Sequence, residues 1–384
     1  MSPTLKGYAI FILLFMIVRG TSFFELPSDV TRAFGTNSWI VLGIYTILII
    51  FQIWLMSIGT RKHHNQSIFQ LIENHLPRWL AVTILMILTV FYVCISFQIA
   101  YSFIRVLQFT NDPTINVSKV TLIMLVVVAV IAWHGMYTMT KSTVLFFCLT
   151  IWITLLGFLQ FKDFSLTRLS PFLLQGGTWS LESMLDVYSA FHGYLIILYI
   201  TPLFAKQMKW FKYAALSLAC TGLYYMLNCM LTQGLVPYEM LLNIHHVALR
   251  VNGASRITAL VYITDLLFIT FVFSCVITSS AYMWIAHQSA MQTSVAKKHP
   301  LITRGIILAA AISLPYLPLN YQYWNSFFRI LIASSLILSV IFTLLYLIIP
   351  YKAGSKHEDA SSPPSSDNSQ LGSLPAYEGG SSRR

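Results

Sequence analysis

Long apolar runs, each closed by a short polar or glycine- and proline-containing break, follow one another along nearly the whole chain. A run of about 20 apolar residues is long enough to cross a bilayer as a helix, and ten such spans can be drawn. Span 1 covers about 8–34, span 2 39–58, span 3 79–109, span 4 117–136 and span 5 142–160. Span 6 covers about 183–205, span 7 213–234, span 8 257–286, span 9 302–319 and span 10 326–350. The pattern predicts an all-α polytopic membrane protein. Between spans 2 and 3, Ile68, Leu71, Ile72 and Leu76 share one helical face within a polar stretch, which predicts a short helix lying on the membrane surface. Residues 352–384 are rich in Ser, Gly, Pro and charge. They are read as a disordered polar tail after a transmembrane domain of residues 1–351.

Span 1 departs from the pattern. After Tyr8–Val18 come Arg19, Gly20, Thr21, Ser22, Phe23, Phe24, Glu25, Leu26 and Pro27. Pro27 lacks an N–H and restricts the residue before it, and Gly20, Thr21 and Ser22 favour a local opening. Broken backbone at membrane depth is tolerated only where protein or a cavity satisfies the freed groups. Span 1 therefore reads as a discontinuous helix lining a site. Span 6 has a similar interruption at His192 and Gly193 and closes at Pro202. Interrupted spans in corresponding positions of two halves point to a 5+5 inverted repeat of transporter type, with a ligand between the breaks. Half-helix ends and freed backbone groups suit an amino acid's carboxylate and amine. Phe23, Phe24, Phe191 and Tyr194 either wall such a site or are ordinary core or lipid-facing aromatics.

Composition agrees with a membrane protein, since 57% of the 384 residues are hydrophobic and 10% are charged, against about 25% charged in soluble domains. The formal charge of +11 lies in short loops between apolar runs, so it is not read as a nucleic-acid signal. Thirteen lysines and arginines flank the spans on one side. Arg32, Lys119, Lys162, Arg168, Arg250 and Arg256 lie on the other. That excess predicts cytoplasmic termini. The five cysteines lie in apolar runs without a C-x-x-C pair and read as buried thiols. No phosphate loop, nucleophile elbow or metal-ligand cluster stands out, and His63-His64 and His245-His246 read as exposed loop residues, so neither an enzyme nor a cofactor is expected. Ionisable residues inside spans are functional candidates by default. They are Arg19, Glu25, Asp29, Arg105, Asp186, Asp265 and Arg329, with His134 and His192 added. Asp265 and Glu25 each serve either a site or a structural pairing, and Arg19 is a candidate partner for Asp265.

Gly20-Thr21-Ser22-Phe23-Phe24-Glu25-Leu26-Pro27 followed by Trp39-Ile40 resembles the first-helix motif of the spore germination permeases. These are the B subunits of germinant receptors, relatives of the amino acid–polyamine–organocation transporters. The resemblance continues through Ser67-Ile68-Phe69, Leu76-Pro77-Arg78-Trp79, Leu169-Ser170-Pro171 with Gly176, Phe191-His192-Gly193, Pro202 and Gly234 to Glu239, and covers about 6–350. It implies a ten-helix subunit of the spore inner membrane. Such a subunit would sense a small germinant, typically an amino acid, with an A subunit and a lipoprotein C subunit. The implied ligand site comprises Gly20, Thr21 and Ser22 with Phe191, His192 and Gly193. The residues themselves add Phe23, Glu25, Tyr194 and Asp265 as candidates. Ser22 stands where the family commonly has glycine, and Leu195 where many members have glutamate. An ion- or proton-coupled amino-acid permease and a purely structural subunit are the alternative readings.

Overall fold

The computed structural model describes residues 4–110, 113–156, 161, 164–170, 173–204, 208–243, 263–318 and 320–350. The expected tail and the His245-His246 pair lie outside the described residues. The described chain is helical, and its only β-type pairings are two isolated bridges, Leu5 with Phe204 and Gly35 with Gly176. Helix α1 (Gly7–Val18) is followed by a 3₁₀ turn (Thr21–Phe24) and α2 (Leu26–Phe34). Then come α3 (Trp39–Lys62), α4 (Ile68–His75), α5 (Arg78–Thr110), α6 (Val117–Trp133) and α7 (Met136–Leu156). The second part holds α8 (Leu181–Ser189), α9 (Ile196–Ile200), α10 (Trp210–Leu235), α11 (Tyr238–Asn243) and α12 (Ile263–Met291). It closes with α13 (Ser294–Lys298), α14 (Pro300–Ser313) and α15 (Tyr321–Ile348).

The long helices are apolar on the outside and carry hydroxyls on the inside. Ile44, Ile47, Leu48 and Phe51 of α3, Ile87 and Val90 of α5, and Ile337 and Val340 of α15 are exposed, whereas Ser96, Thr221, Ser274, Thr278 and Ser279 are buried. Water would not tolerate that much contiguous apolar surface; lipid does. Among the described residues, four helices are long and apolar enough to cross a membrane, and α6 with α7 counts as a fifth if that bent pair is one span. The pair turns through 117° at Gly135, whose φ of +88° favours a residue without Cβ. That turn is tighter than the pattern suggests, because α7 begins at Met136 rather than near residue 142.

Packing centres on α12, which runs along α5 and contacts α6, α7 and α1. Reciprocal bonds stitch α5 to α12: Ser96 Oγ donates to the Ser279 carbonyl at 2.9 Å, and Ser279 Oγ to the Ser96 carbonyl at 2.8 Å. Helix α10 packs on α3 and α1.

Three expectations change. Of the five cysteines read as buried, Cys229 and Cys275 are, whereas Cys94 and Cys220 are half-buried and Cys148 is exposed. Helix α4 forms where expected, started by a capping box between Ser67 and Gln70. Its apolar face, however, is buried at Ile68, Phe69, Leu71 and Ile72 against α5 and α9, so that face meets protein rather than lipid. An amphipathic pattern reports one buried stripe without saying what covers it. His63 is likewise no exposed loop residue. It is fully buried, with its ring 5.9 Å from that of Tyr346 and 6.2 Å from that of His75. Burial lowers its pKa from the ordinary value.

Candidate functional site between two broken helices

Both expected interruptions are present. The first spans Arg19 to Glu25, where α1 ends, a single 3₁₀ turn intervenes and α2 starts with Pro27 in its first turn. The second spans Ala190 to Leu195 between α8 and α9, with Gly193 at φ +129°. It is held by short i to i−3 bonds, from Phe191 N–H to the Tyr188 carbonyl at 3.0 Å and from His192 N–H to the Ser189 carbonyl at 3.1 Å.

The carbonyls freed at the first break need donors. Helix α12 places two hydroxyls one turn apart against them, each with one proton to share among the carbonyls in reach. Ser274 Oγ lies 2.7 Å from the Met16 carbonyl and 2.8 Å from that of Arg19, and Thr278 Oγ1 lies 3.2 Å from that of Ile17. The fourth carbonyl, Val18, accepts from the Gly20 N–H at 2.8 Å and faces the Tyr225 hydroxyl of α10 at 3.0 Å. That hydroxyl is also 3.0 Å from the Ala190 carbonyl in the second break. One buried phenol thus touches both interruptions.

A cavity of about 40 Å³ lies between the breaks. Ile17, Val18 and Gly20 line it at the first break, and Ser189 and His192 line it at the second. Ile95, Gln98 and Ile99 of α5, Thr278 of α12 and Ile332 of α15 complete it. His192 Nδ1 is 2.9 Å from the Tyr282 hydroxyl, which fixes the ring against α12. The lining is aliphatic with uncharged polar groups, and its size suits one or two waters.

Of the ten candidates drawn from the sequence, Gly20 and His192 line this cavity. Gly193 lies against it, since a Cβ there would come within 2.8 Å of Ile17 Cγ2. Phe191 packs behind, stacked on Tyr45 at 6.3 Å and edge-on to Tyr225 at 5.4 Å. Tyr194 points elsewhere, donating to Gln52 Oε1 at 2.7 Å with its oxygen 3.1 Å from that of Tyr188. Phe23 belongs to a ring stack with Tyr224 and Phe271. Glu25 lies at the start of α2, close enough to Asp29 for the two carboxylates to interact electrostatically. Thr21 and Ser22 are in the 3₁₀ turn and Asp265 is in α12, but their side chains lie outside the described residues, as does the expected pairing of Asp265 with Arg19. Sequence reasoning missed Gln98, Ser274, Thr278 and Tyr225. The only signal was hydroxyls at i, i+4 spacing in span 8.

An ion pair sits one turn from the cavity. Arg329 of α15 contacts Glu182 and Asp186 of α8, the latter with both N–H···O distances at 3.2 Å. Ser189 and Ile332, three residues further along the same two helices, line the cavity. With Arg329 and Asp186 side chains 37% and 27% exposed, the pair is worth about 1 kcal/mol or less. Arg329→Gln should therefore barely move the melting temperature. It should raise about fivefold the rate at which Ile332→Cys reacts with a water-soluble thiol reagent. An unchanged rate would mean that the ion pair does not restrict access.

Among the described residues there is no group of three His, Cys, Asp or Glu side chains placed to hold a metal. The fold and site define a helical membrane protein with two broken helices facing one small cavity. Comparison with known proteins identifies the group it comes from. Residues 4–322 match the family model described as spore germination protein, and the chain belongs to that family. It is similar to spore germination protein A2 of Bacillus subtilis (strain 168), with 26% identity over 219 residues, covering 56% of this chain and 60% of the relative.

Proposed function

We propose that this chain is the membrane subunit of a spore germinant receptor. It binds a small germinant, such as an amino acid, between the two broken helices and triggers germination with an A subunit and a lipoprotein C subunit. In this reading the protein has ten spans in a 5+5 inverted repeat, lies in the spore inner membrane and keeps both termini in the cytoplasm. The observation that carries it is the cavity itself, lined by both Gly20 of the first break and His192 of the second. The cavity is narrow, and in this reading the ligand moves the breaks apart as it enters. Occupancy then becomes a conformational signal, because the ligand favours the opened state. An ion-coupled permease is less well supported, since the carbonyls freed at the first break already face hydroxyl donors on α12 and α10.

Trp179 is a suitable reporter, because its ring packs edge-on against Phe34 at the end of α2, 5.1 Å away. Titrating the reconstituted protein with a panel of amino acids should give a saturable change in tryptophan fluorescence. His192→Ala should shift its midpoint at least tenfold. An unchanged midpoint in that variant would place the ligand elsewhere.

A further inference from the structure

Behind the first break lies a second group of residues that the cavity does not use. Arg19 is 1% exposed. Its guanidinium carbon is 5.1 Å from the centroid of Phe271, 5.3 Å from Tyr224 and 5.7 Å from Phe15. Phe23 closes the group, stacked on Tyr224 at 5.3 Å and on Phe271 at 5.1 Å. Rings from α1, the 3₁₀ turn, α10 and α12 thus surround one cation. The Arg19 Nε is buried without a hydrogen-bond partner. None of the described carboxylates lies within ion-pair distance.

Rings stabilise a cation through their faces. They offer no acceptor to the N–H groups at the guanidinium edge, and a desolvated charge at membrane depth needs one. The fork of Nε–H and Nη–H matches the two oxygens of a carboxylate. We propose that Arg19 and its four rings form a binding site for the carboxylate of a small organic acid, separate from the cavity between the breaks. The site does not depend on what the cavity binds. The two are adjacent, because Gly20 lines the cavity and the Arg19 carbonyl is held by Ser274. A bound carboxylate would therefore stiffen the turn that forms the cavity wall.

The test is thermal unfolding of the purified full chain in lipid nanodiscs, with sodium acetate against sodium chloride at equal ionic strength. Acetate should raise the melting temperature saturably, by on the order of a few degrees, and chloride should not. Equal responses to the two salts, or none, would overturn the proposal without any variant. Arg19→Met should abolish the acetate response and, in acetate-free buffer, melt no lower than wild type, because it removes an uncompensated charge. Arg19→Lys should keep the charge, lose the fork and weaken the response. If Arg19→Met and Asp265→Asn each lower the melting temperature and the double variant restores it, the carboxylate is the chain's own and the proposal fails.

Discussion

Gly193→Ala is expected to lower stability by about 2–6 kcal/mol and to abolish the ligand response. Two effects act together. Gly193 has φ +129°, where a residue with a Cβ is strained by about 1–3 kcal/mol. The added Cβ would also sit 2.8 Å from Ile17 Cγ2 and 3.4 Å from the Ile17 carbonyl, an overpacking that costs about 1–3 kcal/mol. Ile17 lies in the last turn of α1, just before the first break, and lines the cavity, so the clash pushes the second break against the end of α1. Gly20→Ala provides the contrast. The atom nearest its new Cβ is the Ile17 carbonyl oxygen at 4.0 Å, and Gly20 is not in the left-handed region. It should melt within about 1 kcal/mol of wild type while still losing response, because its methyl shares the cavity wall. Thermal unfolding and fluorescence titration of both variants separate the outcomes. Equal stability of the two would show that the second break does not press on Ile17.

The contrast also marks how far the sequence could be read. Both breaks were legible, because glycine, hydroxyl and charged residues inside an apolar run have no place in a simple spanning helix. What satisfies those breaks was not. Ser274 and Thr278 are two hydroxyls among many in the spans, and which carbonyls they reach depends on how α12 is rotated against α1, which periodicity does not reveal. Gln98 is hidden in the same way in the 33-residue helix α5. Arg19 shows a different limit. A buried arginine suggests a carboxylate partner, and the sequence offers Asp265 as one candidate. The structure surrounds it with Phe15, Tyr224 and Phe271, three rings far apart in the chain whose convergence no local pattern records. The buried face of α4 was legible as a stripe, and only its packing against α5 and α9 separates protein from lipid as its cover.

Tyr225→Phe is expected to loosen both breaks while leaving the surrounding helices intact. The hydroxyl lies 3.0 Å from the Val18 carbonyl and 3.0 Å from the Ala190 carbonyl, with its ring fully buried. It has one proton and donates to one carbonyl at a time, so it balances between the two interruptions. Phenylalanine keeps the ring contacts with Phe191 and Phe23 and removes the shared donor. Val18 retains the Gly20 N–H. Losing a donor to a buried carbonyl costs about 1–3 kcal/mol, which corresponds to an increase in local opening of roughly fivefold to a hundredfold. Hydrogen exchange read by mass spectrometry should quicken by that factor in residues 18–25 and 190–196, with α3 and α5 unchanged. Faster exchange in only one segment would show that the hydroxyl serves that break alone. If both respond, Tyr225 is the physical link through which a ligand at one broken helix is felt by the other, and the variant should bind ligand without passing the signal on. Tryptophan fluorescence at Trp179 would then fall silent while ligand binding, measured by equilibrium dialysis, persisted.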